Sequence, residues 1–389
     1  MESSTAGAGT GNDWQLALAQ ALAGQRSGPA DLVFLFASHH YREHYPAMLA
    51  NILSELAPGQ LIGCSGQGVI STGVELEQQP ALSLMSLSLP GAKLDRFRLS
   101  QVDLATSSDA GSWLRRFGLA PGDVNAWILL CDPFTFDTDA LIAALTDAYP
   151  GVPIMGGMAS GEMGIQATQL FADSQVLTSG ALLIAVGGAY TVRSVVSQGA
   201  EPIGQTWTIT AAQGNFVLSL GGRPALEVLI ETMRALPEEM QQRASRNLLV
   251  GLAMDEYQDE FGRGDFLIRN LMGVNQEHGA VAIGAEPRVG QTLQFQVRDA
   301  AAADDELDAM LTSASLDLFG RQPAGALLCS CNGRGEGLFG HPHHDATAVM
   351  KRFGTLPVAG FFCNGEIGPV GEKTFVHGFT ASIAFFVPV

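Results

Sequence analysis

Arg334 stands out among the residues that could do chemistry, because it lies in the glycine-flanked loop Cys329–Gly337 (CSCNGRGEG), directly after an apolar run. An isolated cation is costly in such a place unless it faces a carboxylate or an anionic ligand. Glu366 lies in an otherwise apolar segment, and His377 lies in the last strand-like run. Three neighbouring strand ends would bring these side chains together in one polar pocket. The alternative is a buried Arg–Glu pair that only fixes the architecture.

A glycine pattern recurs three times along the chain. The pattern consists of two apolar residues, Gly, four variable residues, Gly, a Glu or Val and an apolar residue. Its three copies are LIGCSGQGVI from Leu61, IMGGMASGEM from Ile154 and VAGFFCNGEI from Val358. Glycine turns at strand ends let backbone N–H groups approach a ligand, and open α/β sheets bind ligands there. Alignment of the second and third copies puts Glu162 and Glu366 at the same position of the pattern. No copy continues as a P-loop or fits G-x-G-x-x-G, which argues against ATP hydrolysis and dinucleotide binding. The alternative to a ligand-binding role is a structural one, in which these glycines are needed only where two sheets cross.

The elements around these turns predict the fold class. Each copy follows an apolar run, such as Leu32–Ala37, and a helical pattern, such as Tyr45–Leu56, and precedes another strand. A second echo, GAEPIGQT at Gly199 and GAEPRVGQT at Gly284, suggests related substructure in both halves. We therefore expect an α/β protein with two related domains of mixed β-sheets flanked by helices, built from internal strand–helix–strand repeats. The expected bounds are a disordered tail at 1–12 and domains at 13–220 and 221–389.

Composition narrows the function classes. The chain has 389 residues, of which 47% are hydrophobic and 15% charged, and this excludes a disordered protein. The net charge of −18 and the absence of a basic stripe argue against nucleic acid and anionic membrane surfaces as partners. The apolar runs are shorter than the ~18 residues of a membrane span, and the start lacks a secretory signal. Five cysteines, an odd and small number, predict a cytoplasmic protein with reduced thiols.

Metal binding and nucleophilic catalysis are weaker hypotheses. Cys329 and Cys331 precede a histidine-rich loop, but C-x-C is not the C-x-x-C knuckle of structural zinc, so we expect no metal and no cofactor. Ser65 lacks the helix that follows a nucleophile elbow. Cys64 or Cys363 would need a histidine base that the sequence does not locate. A non-enzymatic protein is predicted, and a hydrolase or transferase with a Cys or Ser nucleophile is the alternative.

The third glycine unit also resembles a known family. GALLCSCNGRGEGLFG, HHDA, PVAGFFCNGEIGPVG and FVHGFTAS closely resemble the C-terminal module of the FIST family, named for F-box and intracellular signal transduction proteins. GCSGQGVI and GGMASGEMG resemble the glycine motifs of its N-terminal module, so the resemblance extends from Asp31 to the C-terminus. It implies a stand-alone sensory protein that binds a small molecule, an amino acid or a similar small carboxylate. No output domain fits outside the matched region, so signalling would pass through a protein partner. An interaction scaffold without a ligand is the alternative.

The motif positions give the expected ligand-binding residues. We expect Arg334 to clamp an anionic group, and Glu366 or Asp345 to accept hydrogen bonds from an amine or to orient Arg334. The first glycine motif ends in Gly-Val-Ile and lacks the carboxylate, which argues against a binding role for that copy. The full predicted set is Asn332, Arg334, Asp345, Asn364, Glu366, His377, Ser160, Glu162 and Ser65.

Overall fold

The computed structural model describes residues 4–25, 30–107, 109–258, 260–262 and 264–389. The chain divides into two compact units. Unit 1 comprises Met1–Val196, Asp308–Val376 and Thr380–Val389, and unit 2 comprises Ser197–Leu307 and His377–Phe379. Unit 2 is therefore an insertion within the sequence of unit 1. The boundary expected between residues 220 and 221 falls inside unit 2.

Within the described residues, unit 1 is built on three six-stranded sheets. The first sheet has the spatial order β1 (Thr5–Thr10), β6 (Ala81–Leu87), β2 (Leu32–Ser38), β3 (Gln60–Gly66), β10 (Leu170–Ala172) and β11 (Gln175–Leu177). The second sheet has the order β7 (Ala92–Leu99), β12 (Ala181–Gly188), β8 (Ala126–Cys131), β9 (Ile154–Met158), β23 (Gly365–Val370) and β24 (Lys373–His377). The third sheet has the order β13 (Tyr190–Ser197), β25 (Ala381–Pro388), β21 (Gly325–Cys331), β22 (Val358–Cys363), β4 (Val69–Ser71) and β5 (Val74–Leu76).

Helices connect and flank these strands. They are α1 (Trp14–Ala23), α2 (Tyr45–Leu56), α3 (Gln101–Thr106), α4 (Ala110–Phe117), α5 (Thr138–Ala148), α6 (Ala225–Ala235), α7 (Glu238–Asn247), α8 (Ala300–Asp317), α9 (Glu336–Phe339) and α10 (His344–Phe353). Short 3₁₀ turns cover His39–His44 and Pro121–Asp123. In the described part of the chain, no helix combines the length and the apolarity needed to cross a bilayer.

The three sheets repeat one construction. Each has a central parallel pair, β2 with β3, β8 with β9 and β21 with β22, and the crossover helices are α2, α5 and α10. A later strand, β6, β12 or β25, returns antiparallel to the first strand of its pair. This confirms the predicted fold class of mixed sheets flanked by helices and built from strand–helix–strand repeats.

The hairpin that follows each parallel pair is exchanged between sheets. β4–β5 follows β3 in the chain but pairs with β22 of the third sheet. β10–β11 follows β9 but pairs with β3 of the first sheet, and β23 follows β22 but pairs with β9 of the second. The glycine turns are therefore the points at which the chain crosses from one sheet to the next.

The central strands are buried on both faces, which is why they read as continuous apolar runs. In β2, Phe34 and Phe36 face a core shared by all three sheets, and Phe36 stacks on Phe361 of β22 with ring centroids 4.8 Å apart. Val33 and Leu35 face the other way and pack on α1 and α2. Helices thus cover the outside of a core that the sheets enclose.

The first glycine of each motif is required by a close approach of two strands. A Cβ on Gly63, Gly156 or Gly360 would lie 1.7, 1.9 or 1.8 Å from the carbonyl oxygen of the residue paired with it on the preceding parallel strand. Any side chain at these positions would push the parallel pair apart.

Unit 2 is a sheet that closes on itself. Its strands, in spatial order, are β14 (Ala200–Gln213), β20 (Thr292–Arg298), β17 (Leu248–Ala253), β18 (Phe266–Asn275), β19 (Ala280–Ile283), β15 (Phe216–Leu220) and β16 (Arg223–Pro224). It closes because β15 also pairs with β14. Val217, Val250 and Phe295 of its strands share one hydrophobic core with Val228 of α6 and Ala244 of α7.

Two expectations need correction. The GAEP echoes do not relate two halves of the chain, because the first lies at the start of β14 and the second in the loop that leads into β20, and these two strands are neighbours in the closed sheet of unit 2. Residues 4–12 are not a disordered tail, because Thr5–Thr10 form the outer strand of the first sheet, paired with β6. Residues 1–3 lie outside the described residues.

Candidate functional site: a buried arginine–carboxylate cluster

Arg334 and Asp345 form a buried, two-pronged ion pair. Arg334 lies in the turn after β21, and Asp345 lies in the first turn of α10, the crossover helix of the same repeat. Arg334 donates from Nε to Oδ2 and from Nη2 to Oδ1 of Asp345, both at 2.8 Å, and each residue is 1% exposed. The sequence predicted that this cation would face a carboxylate or an anionic ligand, and Asp345 is the carboxylate that it faces.

Further donors hold the Asp345 carboxylate. Ser330 Oγ donates to Oδ2 at 2.8 Å, and His344 Nδ1 lies 2.9 Å from Oδ1. Burial alone would raise the pKa of Asp345. The charge of Arg334 and the hydrogen bonds from His344 and Arg334 outweigh burial and hold that pKa well below its ordinary value. Asp345 is therefore ionised at neutral pH and orients the guanidinium.

An aromatic ring lies against the guanidinium. The guanidinium carbon of Arg334 lies 5.2 Å from the centre of the Phe339 ring, and Phe339 stacks in turn on His344. This contact adds a cation–π attraction in a desolvated place, where such attractions are strongest.

The exchanged hairpin β4–β5 adds carboxylates that the sequence analysis missed. Glu75 accepts a hydrogen bond from the backbone N–H of Ala346 at 2.9 Å, at the start of α10, and its own N–H donates to His343 Nδ1 at 3.0 Å. Burial and the charge of Asp345 raise the pKa of Glu75 to about 8. Glu77 accepts from the N–H of Glu336 at 2.9 Å. In the sequence these acids look like an ordinary solvated alternation, and only the exchange of the hairpin brings Glu75 to α10 and Glu77 to α9.

Glu366 is a fully buried carboxyl at the start of β23. Oε1 accepts from Cys363 Sγ at 3.2 Å, and Oε2 accepts from the N–H of Thr380 at 3.0 Å. Burial raises its pKa to about 8, against the opposing hydrogen bonds from Thr380 and Cys363 and the charge of Arg334. Glu366 is therefore largely protonated at neutral pH, and a cation placed beside it would ionise it.

Cys64 and Cys363 are buried, and His343 and His344 have hydrogen-bond partners. Burial raises the pKa values of Cys64 and Cys363, and a thiolate is disfavoured at both positions. His343 and His344 are engaged by Glu75 and Asp345. Across the described residues, no group of three or more His, Cys, Asp and Glu side chains is arranged to hold a metal ion.

Ser65 and Ser160 join the three glycine motifs. Ser160 Oγ donates to the carbonyl oxygen of Phe362 and accepts from the N–H of Gln67 at 2.7 Å. Ser65 Oγ donates to the carbonyl oxygen of Ser160 at 2.7 Å and accepts from the N–H of Gln169 at 3.0 Å. Both hydroxyls are buried and are used by backbone groups where the hairpins cross.

Asn332 and Asn364 join the ends of β21 and β22. Asn332 Nδ2 donates to Asn364 Oδ1 at 2.9 Å, and Asn364 Nδ2 donates to the carbonyl oxygen of Ala159 at 3.0 Å. The side chain of Asn364 is exposed, so this pair lies at the protein surface beside the buried cluster.

The structure separates Glu162 from the other predicted residues. Glu162 is exposed and pairs with Arg42 at 3.4 Å. The residue that corresponds to Glu366 in the hairpin after the second glycine motif is Leu170. Glu366 pairs with Gly157, Leu170 pairs with Cys64, and Gly157 and Cys64 occupy the same position in their glycine motifs. The expected match between Glu162 and Glu366 is therefore wrong, owing to a longer loop before β10. His377 is buried at the end of β24 and is grouped with unit 2.

Comparison with family models gives the relationship of the chain. The FIST N domain matches residues 31–223, and the FIST C domain matches residues 225–369. This chain is a member of the FIST family. FIST domains are sensory, signal-transduction domains.

Relatives match this FIST protein over nearly its whole length. An uncharacterized protein of Mycobacterium tuberculosis is 41% identical over 385 residues, which are 98% of this chain and 98% of the relative. An uncharacterized protein of Mycobacterium bovis is 39% identical over 356 residues, which are 92% of this chain and 90% of the relative. A solved structure described as "Cyanuric acid hydrolase: evolutionary innovation by structural concatenation" covers 100% of this chain and 99% of its own, with 11% identity and a TM-score of 0.34.

Proposed function

We propose that this FIST protein is a sensor that binds an amino acid or a similar small carboxylate beside Glu366. The observation that carries the proposal is the Glu366 carboxyl, which is 0% exposed and has its pKa raised to about 8 where the parallel pair β21–β22 ends. Such strand ends are where α/β sheets bind ligands, and strongly shifted buried carboxyls concentrate at functional sites.

The charges around Glu366 suit a zwitterion. A ligand ammonium group next to Glu366 would ionise the carboxyl and pair with it. Arg334 supplies positive potential for the ligand carboxylate, and Asp345 holds Arg334 in position. Asn332 and Asn364 offer neutral amide groups at the surface beside the cluster. Binding would thus release a proton from Glu366 when the pH is below about 8.

This proton release gives a sharp test. The protein is first screened by thermal shift against the twenty amino acids and small carboxylates. A ligand at 100 times its Kd should stabilise the fold by ~2.7 kcal/mol. Hits are then titrated calorimetrically at pH 7 in buffers of different ionisation enthalpy, where we expect one proton to be released per ligand bound.

Glu366→Gln is the decisive variant, because Gln has the shape of the protonated carboxyl and should leave the fold intact. We expect it to weaken binding and abolish proton release. Glu162→Gln is the matched control, since Glu162 is an exposed carboxylate of the second glycine motif. A flat screen would contradict the proposal and favour a scaffold without a ligand, as would unchanged binding by Glu366→Gln.

Signalling would pass through a separate protein. The ligand-bound state would be read by a separate protein partner, in keeping with the sensory role of FIST domains. The protein would act in the cytoplasm, where its five thiols, which form no disulfide within the described residues, stay reduced. Partner capture from lysate that depends on the added ligand and is lost in Glu366→Gln would support this part, and capture indifferent to both would contradict it.

A further inference from the structure

An ion pair closes the junction between the first and second sheets. Arg96 on β7 pairs with Asp173, in the turn after β10, and Arg96 Nη1 also donates to the carbonyl oxygen of Leu61 at 3.4 Å. Asp173 Oδ1 accepts from the N–H of Leu61 at 3.0 Å. The guanidinium and the carboxylate therefore bridge the two sheets at a partly exposed place.

Strand register identifies the equivalent positions at the junction between the second and third sheets. Phe171 pairs with Gly63, and Ile367 pairs with Gly156, which is the first glycine of the next motif as Gly63 is of its own. Phe171 and Ile367 are therefore equivalent, and so are the residues two positions after them, Asp173 and Pro369. 

The arginine position follows from the strand ends. Ala189 N–H donates to Gly91 at the end of the second sheet, and Val389 N–H donates to Ala189 in the same way at the end of the third. Gly91 thus corresponds to Ala189, and five residues further on Arg96 corresponds to Ser194. The third repeat therefore has Ser194 and Pro369 where Arg96 and Asp173 close the first junction.

A groove lies where the ion pair is missing. It has a volume of ≈ 580 Å³, adjoins a second cavity of ≈ 240 Å³, and both are lined by Ser194 and Pro369. The volume of the groove is typical of small-molecule sites. Glu372, three residues after Pro369, and Arg193, next to Ser194, also line the groove.

We infer that this groove binds a ligand with a guanidinium group, of which L-arginine is the simplest amino acid example. The ligand would supply the group that Arg96 supplies at the closed junction. Glu372 is the carboxylate available to pair with it, and a planar guanidinium suits a carboxylate in a two-pronged geometry.

Arg193 suits the other end of such a ligand. It pairs with Asp317 at a site where both side chains are more than 40% exposed. Exposed pairs of this kind contribute little, about 0–1 kcal/mol, so the α-carboxylate of the ligand can replace Asp317 at modest cost. This site is separate from Glu366 and goes beyond the function proposed above.

The test is calorimetric titration of the full-length protein with L-arginine and L-citrulline, in which an uncharged urea group replaces the guanidinium. We expect L-arginine to bind to the wild-type protein. Citrulline should bind to the wild type at least about tenfold more weakly, and L-arginine should bind to Glu372→Gln at least about tenfold more weakly, because each change removes a charge-assisted hydrogen bond. Ser194→Arg should abolish binding because its own guanidinium fills the groove. The titration is repeated in Glu366→Gln, where L-arginine binding at the groove should persist.

Three results would overturn the inference: no binding of L-arginine, equal binding of citrulline, or unchanged binding by Glu372→Gln. Retained binding by a folded Ser194→Arg would do the same, and Glu372→Gln keeps the test decisive if Ser194→Arg does not fold. Loss of L-arginine binding in Glu366→Gln would assign the binding to the other site. If L-arginine does not bind in the groove, the proposed ligand site beside Glu366 is unaffected, because the two sites share no residue.

A reciprocal variant checks the structural reasoning. Arg96→Ala should open the same kind of groove at the closed junction and lower the melting temperature. L-arginine should then raise the melting temperature of Arg96→Ala more than that of wild type, while citrulline should not. Equal shifts for the two proteins would contradict the equivalence of Arg96 and Ser194.

Discussion

The guanidinium of Arg334 and the carboxylate of Asp345 lie side by side inside unit 1, with two N–H···O contacts of 2.8 Å and almost no exposed surface. The pair ties the turn after β21 to the first turn of α10. Two charges taken out of water are costly, and only their mutual attraction and further hydrogen bonds offset that cost. The pair is thus a point at which the fold and the candidate site depend on the same contact.

Removal of one partner should therefore destabilise the protein strongly. Arg334→Met leaves Asp345 buried without its cation, and breaking such pairs costs about 3–5 kcal/mol. Urea unfolding followed by circular dichroism measures this loss as a lower midpoint at an unchanged slope.

A double variant separates the pair from the packing. Arg334→Met with Asp345→Leu replaces both charges by apolar groups, and we expect it to recover a large part of the lost free energy of unfolding. A double variant less stable than Arg334→Met would contradict this account and would show that Asp345 is needed mainly by Ser330 and His344.

Stability should fall as the pH rises from 5 to 8. The pKa values of Glu366 and Glu75 are about 8 in the folded protein, against the ordinary value of 4.5. Between these values the folded state holds protons that the unfolded chain has released. The stabilisation is complete below pH 4.5 and is lost as the pH passes through about 8, with a slope of up to about 1.4 kcal/mol per pH unit for one group.

Urea unfolding at several pH values checks the slope and its origin. Glu366→Gln should reduce the slope, because it removes one of the two groups, while Glu162→Gln should leave it unchanged. Asp345 acts in the opposite sense: its lowered pKa stabilises the fold above the ordinary Asp value, and this is lost as the pH falls towards the folded pKa. A free energy of unfolding that rises between pH 5 and 8 would refute the prediction for Glu366 and Glu75.

The sequence predicted the repeat but not the exchange of hairpins. Apolar runs, helical spacing and paired glycines are local signals, and they located β2, β8, β21 and the turns after their parallel partners. The choice of the sheet that receives each hairpin depends on long-range pairing, which leaves no local pattern. Glu75 was missed for this reason, since it reaches α10 only through the pairing of β4 with β22.

The same limit explains the misplacement of Glu162. Alignment of the glycines counts residues along the chain, whereas the place of Glu366 is set by pairing with β9. A longer loop in the second repeat moves Glu162 to the surface and puts Leu170 in that place. The need of Arg334 for a carboxylate could be predicted, because a cation beside a buried strand must be paired whatever the topology. The identity of that carboxylate could not: the residues suggested an Arg–Glu pair, and the family resemblance left Glu366 and Asp345 as alternatives, whereas the structure pairs Arg334 with Asp345.

Alanine at the first glycine of each motif should be very damaging. At Gly156 the new Cβ would lie 1.9 Å from the carbonyl oxygen of Leu129, and backbone on a central strand cannot move aside. We expect Gly156→Ala to lose more than about 3 kcal/mol, or to accumulate as insoluble protein. Gly122→Ala is the control, because nothing lies within 4 Å of its Cβ, and it should unfold like wild type. Wild-type stability of Gly156→Ala would refute the close approach.

Ser160→Ala tests whether a hydroxyl at the crossing of the hairpins is structural. Its loss leaves the N–H of Gln67 and the carbonyl oxygen of Phe362 without this partner in a buried place, and the expected cost is about 1–3 kcal/mol. Ser245→Ala, an exposed serine on α7, should cost less than about 0.5 kcal/mol. If the hydroxyl only joins the motifs, Ser160→Ala lowers the urea midpoint but keeps the ligand affinity of the folded protein at temperatures well below its melting. A large loss of affinity with unchanged stability would instead make Ser160 a ligand-binding residue, as the glycine motif predicted.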